Sequence, residues 1–267
     1  MFPDYHCHTN LCGHASGEME DYIEAARLKG LQELGFSDHL PMYWLPESER
    51  NPGLAMSEQE LPLYMAKVIK LQEKYSDLSI KLGIEADYIP GNDTALNRLL
   101  DMYPFDYVLG SVHFVGGWAV DNPATKNDYE HINIDEIYTS YFSCLQSAAQ
   151  SGFFNIMAHP DLIKKFGYRP KRNLAFLYEQ TAVIFAKSGV CAEINTAGLR
   201  YPAREIYPSL ELLRLFKKYD VPVTVGSDAH FPEQVGEDWK EAALYLKEAD
   251  YREIAVFSGR RLKMVKI

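Results

Sequence analysis

The sequence predicts an α/β barrel. Apolar runs of strand length alternate with stretches of helical period, the signature of repeated β-α units on a parallel sheet. Connectors that follow strands are long, whereas returns from helix to strand are short, so one end of such a barrel would carry the loops. Histidines recur at those same strand ends.

Each element has a local reason. A first strand is expected over Phe2 to Cys7, then a helix over Met19 to Lys29 with apolar Met19, Tyr22, Ile23, Ala26 and Leu28 in helical register and Gly30 as its C-terminal cap. After strand Leu31 to Ser37, Ser57 and Glu60 form a capping box that opens a helix reaching Tyr75, with Pro62 tolerable in the first turn. Strand Ile80 to Glu85 precedes helix Thr94 to Met102; strand Tyr107 to Val112 precedes helix Asp135 to Gln150. Phe154 to Ala158, Val190 to Ile194 and Val221 to Val225 complete seven strands, with helices at Asn173 to Lys187, Pro208 to Tyr219 and Pro232 to Lys247. Glu253 to Phe257 is a candidate eighth strand. The long connectors are Leu40 to Met56, Phe114 to Asn133, Pro160 to Arg172 and Thr196 to Tyr207, each after a strand.

Composition narrows the function. At 267 residues and 47% hydrophobic, the chain can bury a large core, and a single domain spanning residues 1–267 is expected. With 27 basic against 37 acidic residues, the net charge of -10 opposes an extensive grip on nucleic acid or an anionic membrane and suits a cationic or partly cationic small substrate. No basic-then-apolar leader is present and no apolar run approaches about 18 residues, while four cysteines without a Cys-x-x-Cys pair suit a reducing compartment. A cytoplasmic location is the expectation.

His6 and His8 stand one residue apart, as do Asp228 and His230. In extended backbone that spacing puts both side chains of a pair on one face, able to close on a cation at a shared rim. His14, His39, Glu85, His113 and His159 also sit at or just past strand ends, whereas His131 does not and is expected at the surface. Imidazole with carboxylate suits zinc, iron or manganese, and nine such groups exceed the needs of one tetrahedral ion, so two or three metals are implied.

His6-x-His8, His14, Ser37-Asp38-His39, Glu85, Ser111-Val112-His113, His159-Pro160-Asp161 and Ser227-Asp228-Ala229-His230 resemble, in order and spacing, the polymerase and histidinol phosphatase (PHP) family. The resemblance implies a distorted seven-stranded, TIM-like β/α barrel with up to three metals at the strand C-termini. It further implies one ion on His6, His8, Glu85 and Asp228, a second on Glu85, His113 and His159, and a third on His14, His39 and His230. The implied chemistry is phosphate monoester hydrolysis by a hydroxide bridging two metals. Chain length, the ligand set and the Asn195 to Arg200 loop resemble the histidinol-phosphate phosphatases, which implies L-histidinol phosphate as substrate and a place in histidine biosynthesis. Phosphotyrosine, nucleotides or oligonucleotide ends are alternative substrates; an amidohydrolase or a non-catalytic metal-binding regulator would be a different class.

For the supporting residues, Arg200 is expected to grip phosphate with Asn195 orienting it, and Asp161 to meet a substrate cation or protonate the leaving alkoxide, unless it caps a helix. His230 is expected to share the acid role. Asp87, Asp38 and Asp4 are candidate acceptors for ligand imidazoles. Cys7 alternates away from His6 and His8 and is expected to pack; Tyr43, Trp44, Phe114 and Trp118 either stack on a flat ring or pack the loops. Arg260, Arg261, Lys263 and Lys266 read as a solvated ending.

Overall fold

A computed structural model describes residues 3–267, so Phe2, the expected start of the first strand, lies outside the described residues. The chain begins β1 (Asp4–Cys7), α1 (Met19–Leu28), β2 (Glu33–Phe36), α2 (Leu61–Lys74), β3 (Ser79–Asp87), α3 (Asp93–Asp101) and β4 (Tyr107–Ser111). A small hairpin, β5 (Phe114–Val115) and β6 (Trp118–Ala119), leads to α4 (Ile134–Gln150), β7 (Ile156–Met157), α5 (Ala175–Ser188) and β8 (Cys191–Asn195). Then come α6 (Leu210–Lys218), β9 (Val223–Gly226), α7 (Trp239–Glu248), β10 (Glu253–Ser258) and β11 (Arg261–Lys266).

Seven strands pair in the order β1-β2-β3-β4-β7-β8-β9, and every pair is parallel. The ring closes near its C-terminal rim, where His8 N–H donates to the Ala229 carbonyl at 2.9 Å and Ala229 N–H to the His6 carbonyl at 3.0 Å. This is the distorted seven-stranded barrel that the alternating pattern and the family resemblance implied.

Period-two alternation explains how the interior changes along its length. On β4, Tyr107 and Leu109 share a face with Ser111; on β8, Cys191 shares one with Glu193 and Asn195. The lower interior is therefore an apolar cluster of Tyr5, Tyr107, Leu109, Ile156, Ala158 and Cys191, and the upper interior is polar. Tyr107 lies across Gly35 and Gly83: a Cβ at either glycine would come within 2.1 or 2.2 Å of its side chain. Adjacent Tyr5 and His6 both serve the interior because β1 is irregular there, with Asp4 to Cys7 facing only Leu34 to Phe36.

The candidate eighth strand does form, outside the barrel wall. β10 pairs antiparallel with β11 through Gly259 and Arg260, both at positive φ as a tight two-residue turn demands, and Ala255 and Phe257 join the lower interior cluster as a plug. The basic ending is thus an ordered, mostly exposed strand. Helix starts deviate for local reasons. The Ser57–Glu60 box closes, with Ser57 N–H to Glu60 Oε2 at 2.8 Å, but regular helix begins at Leu61. α7 begins at Trp239 because Gly236 and Asp238 take positive φ and break the expected run after Pro232. Among the described residues no helix is long and apolar enough to cross a membrane.

Candidate metal centre

Glu85, at the upper end of β3, is the hub of the polar interior. Its Oε2 lies 3.3 Å from His6 Nε2, 3.5 Å from His8 Nε2 and 3.1 Å from His39 Nδ1, while its Oε1 lies 3.6 Å from His113 Nε2 and 3.1 Å from His159 Nε2. Asp228, beyond β9, stands 3.2 Å from His8 Nε2 and 3.7 Å from His6 Nε2. The His14 ring is 5.4 Å from that of His39 and 4.8 Å from that of His230, which stacks on His8 at 4.1 Å. The structure thus brings all nine expected ligands together, and all but His6 line a cavity of about 410 Å³. Donor atoms converge within 4.8 Å in the trios His6–His8–Glu85, His6–His159–Asp228, His39–Glu85–His113 and His8–His39–His230, so His8 also borders the group expected for a third ion. Of the nine, His159 and Asp228 carry positive φ, a strain that recurs where backbone aims a functional side chain.

Two carboxylates fix ring orientation. Glu193 Oε1 meets His6 Nδ1 at 2.7 Å and Asp87 Oδ1 meets His113 Nδ1 at 2.8 Å, which assigns the proton to Nδ1 and turns each Nε2 lone pair toward Glu85. Glu193 also accepts from His159 N–H at 2.8 Å and Asn195 Nδ2 at 2.9 Å. It was absent from the sequence-derived candidates, although a lone carboxylate amid the apolar run of β8 was a visible signal. Asp38 Oδ1 lies 3.6 Å from His8 Nδ1, and its carboxylate also takes Thr9 and His39 N–H. Asp4 orients no imidazole; it accepts from Ser227 N–H at 2.9 Å and Gly236 N–H at 2.8 Å, tying β1 to the loop after β9. Cys7 packs in the core, as its alternation predicted.

The charges are mutually dependent. Burial pushes Glu85 up, but His6, His39 and His113 outweigh it and hold the carboxyl well below its usual range. Burial likewise opposes ionisation of Asp228, yet His6 and His8 win and depress it. Burial lowers His113, and Asp87 with Glu85 more than reverse this, lifting it to about 10; His230, buried against cationic His8, falls to about 3. Among the described residues, the buried atoms His6 Nε2 and Glu85 Oε2 find no hydrogen-bond partner. Unpartnered imidazole nitrogen beside unpartnered carboxylate oxygen is a donor set that fits divalent transition metals.

Three expectations about supporting residues are corrected. Arg200 does not line the cavity: its guanidinium pairs with Glu237 at 3.1 Å and donates to the carbonyls of Ser227 at 2.7 Å and Asp228 at 3.1 Å, pinning the backbone beneath a cage residue. Asn195 holds Glu193 and Ala197 N–H rather than Arg200. Asp161 is buried against Lys164 Nζ at 2.8 Å and Ser209 N–H at 2.8 Å, because the positive φ of His159 turns the chain away from the cavity. His230 does face the cavity. The cavity wall instead offers Lys165, the one lysine or arginine among the described lining residues, with Asp121 and Tyr201; none was singled out by sequence. Phe114 lines the cavity, whereas Trp118 packs on Tyr129 at 4.8 Å.

Fold and site together define a barrel whose C-terminal rim carries a multinuclear metal centre of imidazoles and carboxylates. The chain belongs to the PHP domain family, which matches residues 4–197, and a PHP-associated segment matches 211–249. It is 36% identical over 262 residues to a probable histidinol-phosphatase of Deinococcus radiodurans, covering 97% of this chain and 98% of that one. It is 30% identical to the histidinol-phosphatase of Bacillus subtilis, covering 87% and 95%. The crystal structure of histidinol phosphate phosphatase from Lactococcus lactis, complexed with zinc, L-histidinol and phosphate, superposes with a TM-score of 0.83 at 25% identity over 98% of both chains.

Proposed function

We propose that the protein is a metal-dependent phosphomonoesterase that hydrolyses L-histidinol phosphate to L-histidinol and phosphate. The carrying observation is the convergence of nine candidate ligand groups around Glu85, eight of them lining one cavity, in a chain similar along its full length to histidinol-phosphatases. His6, His8, Glu85 and Asp228 would hold one ion, Glu85 with His113 and His159 a second, and His14, His39 and His230 a third, drawn from zinc, iron or manganese. When bound, such ions supply Lewis acidity, activating water at neutral pH and neutralising phosphate oxygens.

The chain's own residues do the rest. Glu193 and Asp87 keep the His6 and His113 lone pairs aimed inward. Arg200 and Asp4 fix the Ser227–Asp228 turn from opposite sides. Lys165 is the wall cation available to a phosphate oxygen, and Leu54, Phe114 and Phe231 supply an apolar part of the wall. The test is phosphate release from histidinol phosphate against phosphotyrosine, nucleotides and sugar phosphates, with metal content measured on the same preparation. Hydrolysis of histidinol phosphate no faster than of the other esters would remove the substrate assignment.

A further inference from the structure

In the cavity wall, Asp121 in the loop after β6 and Lys165 in the loop after β7 stand side by side, Lys165 Nζ 2.9 Å from Asp121 Oδ2. Tyr201, from the loop after β8, lies under the ammonium with its ring 4.5 Å away. Three long loops therefore converge on this pair. The cavity's other carboxylates are committed to imidazoles: Glu85 and Asp228 in the cage, Asp87 on His113. Asp121 is the cavity carboxylate that pairs directly with a lysine.

The pair is also incompletely satisfied. Among the described residues no donor takes Asp121 Oδ1, and Lys165 has N–H capacity beyond its bond to Asp121 and its contact with the Tyr201 ring. Both side chains keep surface open, 25% for Asp121 and 12% for Lys165, and both line the cavity. The capacity left over by the pair opens on the ligand space, where a bound molecule can use it.

We propose that Asp121 and Lys165 form a recognition site for phosphate esters bearing an ammonium on the carbon next to the phosphorylated one, with Asp121 taking the ammonium and Lys165 a phosphate oxygen. The site presents a cation beside an anion, and a vicinal aminoalkyl phosphate presents the complementary anion beside a cation. This deepens the phosphomonoesterase reading above and rests on it. Histidinol phosphate belongs to that class, as does O-phosphoethanolamine.

The experiment measures kcat/KM of the metal-loaded wild type, D121N and K165M on two ester pairs that differ only in the amine: histidinol phosphate against its des-amino analogue, and O-phosphoethanolamine against ethyl phosphate. Wild type should favour the amine-bearing member of each pair by about 10- to 100-fold, the worth of one charge-assisted hydrogen bond. D121N should collapse that ratio to within about threefold whatever its overall rate. K165M should lower both members by a similar factor and preserve the ratio. An unchanged ratio in D121N overturns the proposal, as does the absence of any amine preference in wild type. If histidinol phosphate is a poor substrate while the phosphoethanolamine pair still shows an Asp121-dependent ratio, the substrate assignment fails and the recognition site stands. Circular dichroism and metal content confirm folding, and D121S replaces D121N should the latter misfold.

Discussion

Replacing Glu193 by glutamine removes one charge and one acceptor from the floor of the cage while keeping its volume. The carboxylate accepts His6 Nδ1–H on one oxygen and both His159 N–H and Asn195 Nδ2 on the other. Glutamine offers a single oxygen. If that oxygen faces His6, its amide nitrogen opposes two donors, and Asn195 cannot flip to help because its Oδ1 already holds Ala197 N–H at 2.9 Å. Each stranded buried donor costs about 1–3 kcal/mol, so the metal-free protein should lose about 2–6 kcal/mol of a total near 5–15. If the glutamine turns the other way, His6 must move its proton to Nε2 and loses the lone pair directed at Glu85. Losing such an orienting acceptor should weaken metal binding about 10- to 100-fold. Urea unfolding of the stripped protein reads the first effect and competition with a chromogenic chelator reads the second. Wild-type values in both would refute the role given to Glu193.

Arg200→Ala should lower metal affinity and kcat with little change in KM, because the side chain braces the Ser227 and Asp228 carbonyls and does not reach the cavity; a large rise in KM alone would restore it as a phosphate contact. Gly83→Ala, with its new Cβ 2.2 Å from the Tyr107 ring, should destabilise by about 1–3 kcal/mol in urea, and an unchanged midpoint would show that the lower interior yields easily. In the metal-free protein His113 is lifted to about 10, so at pH 8 it carries a proton that a metal must displace. Apparent metal affinity should then rise with pH below that value, and calorimetry in buffers of different ionisation enthalpy should show proton release; binding without proton release would contradict it. Phe257→Ala, which empties the plug beneath the lower interior, should cost about 3–5 kcal/mol by denaturation while leaving metal stoichiometry intact.

The seven barrel strands were legible because parallel strands buried on both faces are written as apolar runs, and the candidate ligands stood out because they lie at or beyond the ends of such runs. What β10 does was not legible: its apolar pattern is that of any strand, and only its antiparallel partner makes it a plug. Arg200 shows a second limit. Its loop placed it correctly on the catalytic end, but the direction of a long side chain is decided by Glu237 and by two carbonyls remote in sequence. Asp161 shows a third, since one left-handed residue at His159 reversed its heading. Glu193, by contrast, was readable in principle, as a buried strand carboxylate needs partners and His6 was the obvious donor.

The seam that joins His8 to Ala229 makes the cage a meeting of segments far apart along the chain. His6 and His8 face Glu85 from β3 and Asp228 from beyond β9, so no single stretch of chain assembles their side of the cage. An ion seated there would act as a clasp across the seam between β1 and the loop after β9. Starvation for that ion should consequently shorten the protein's lifetime in the cell as well as silence it, since proteases act on the unclasped form.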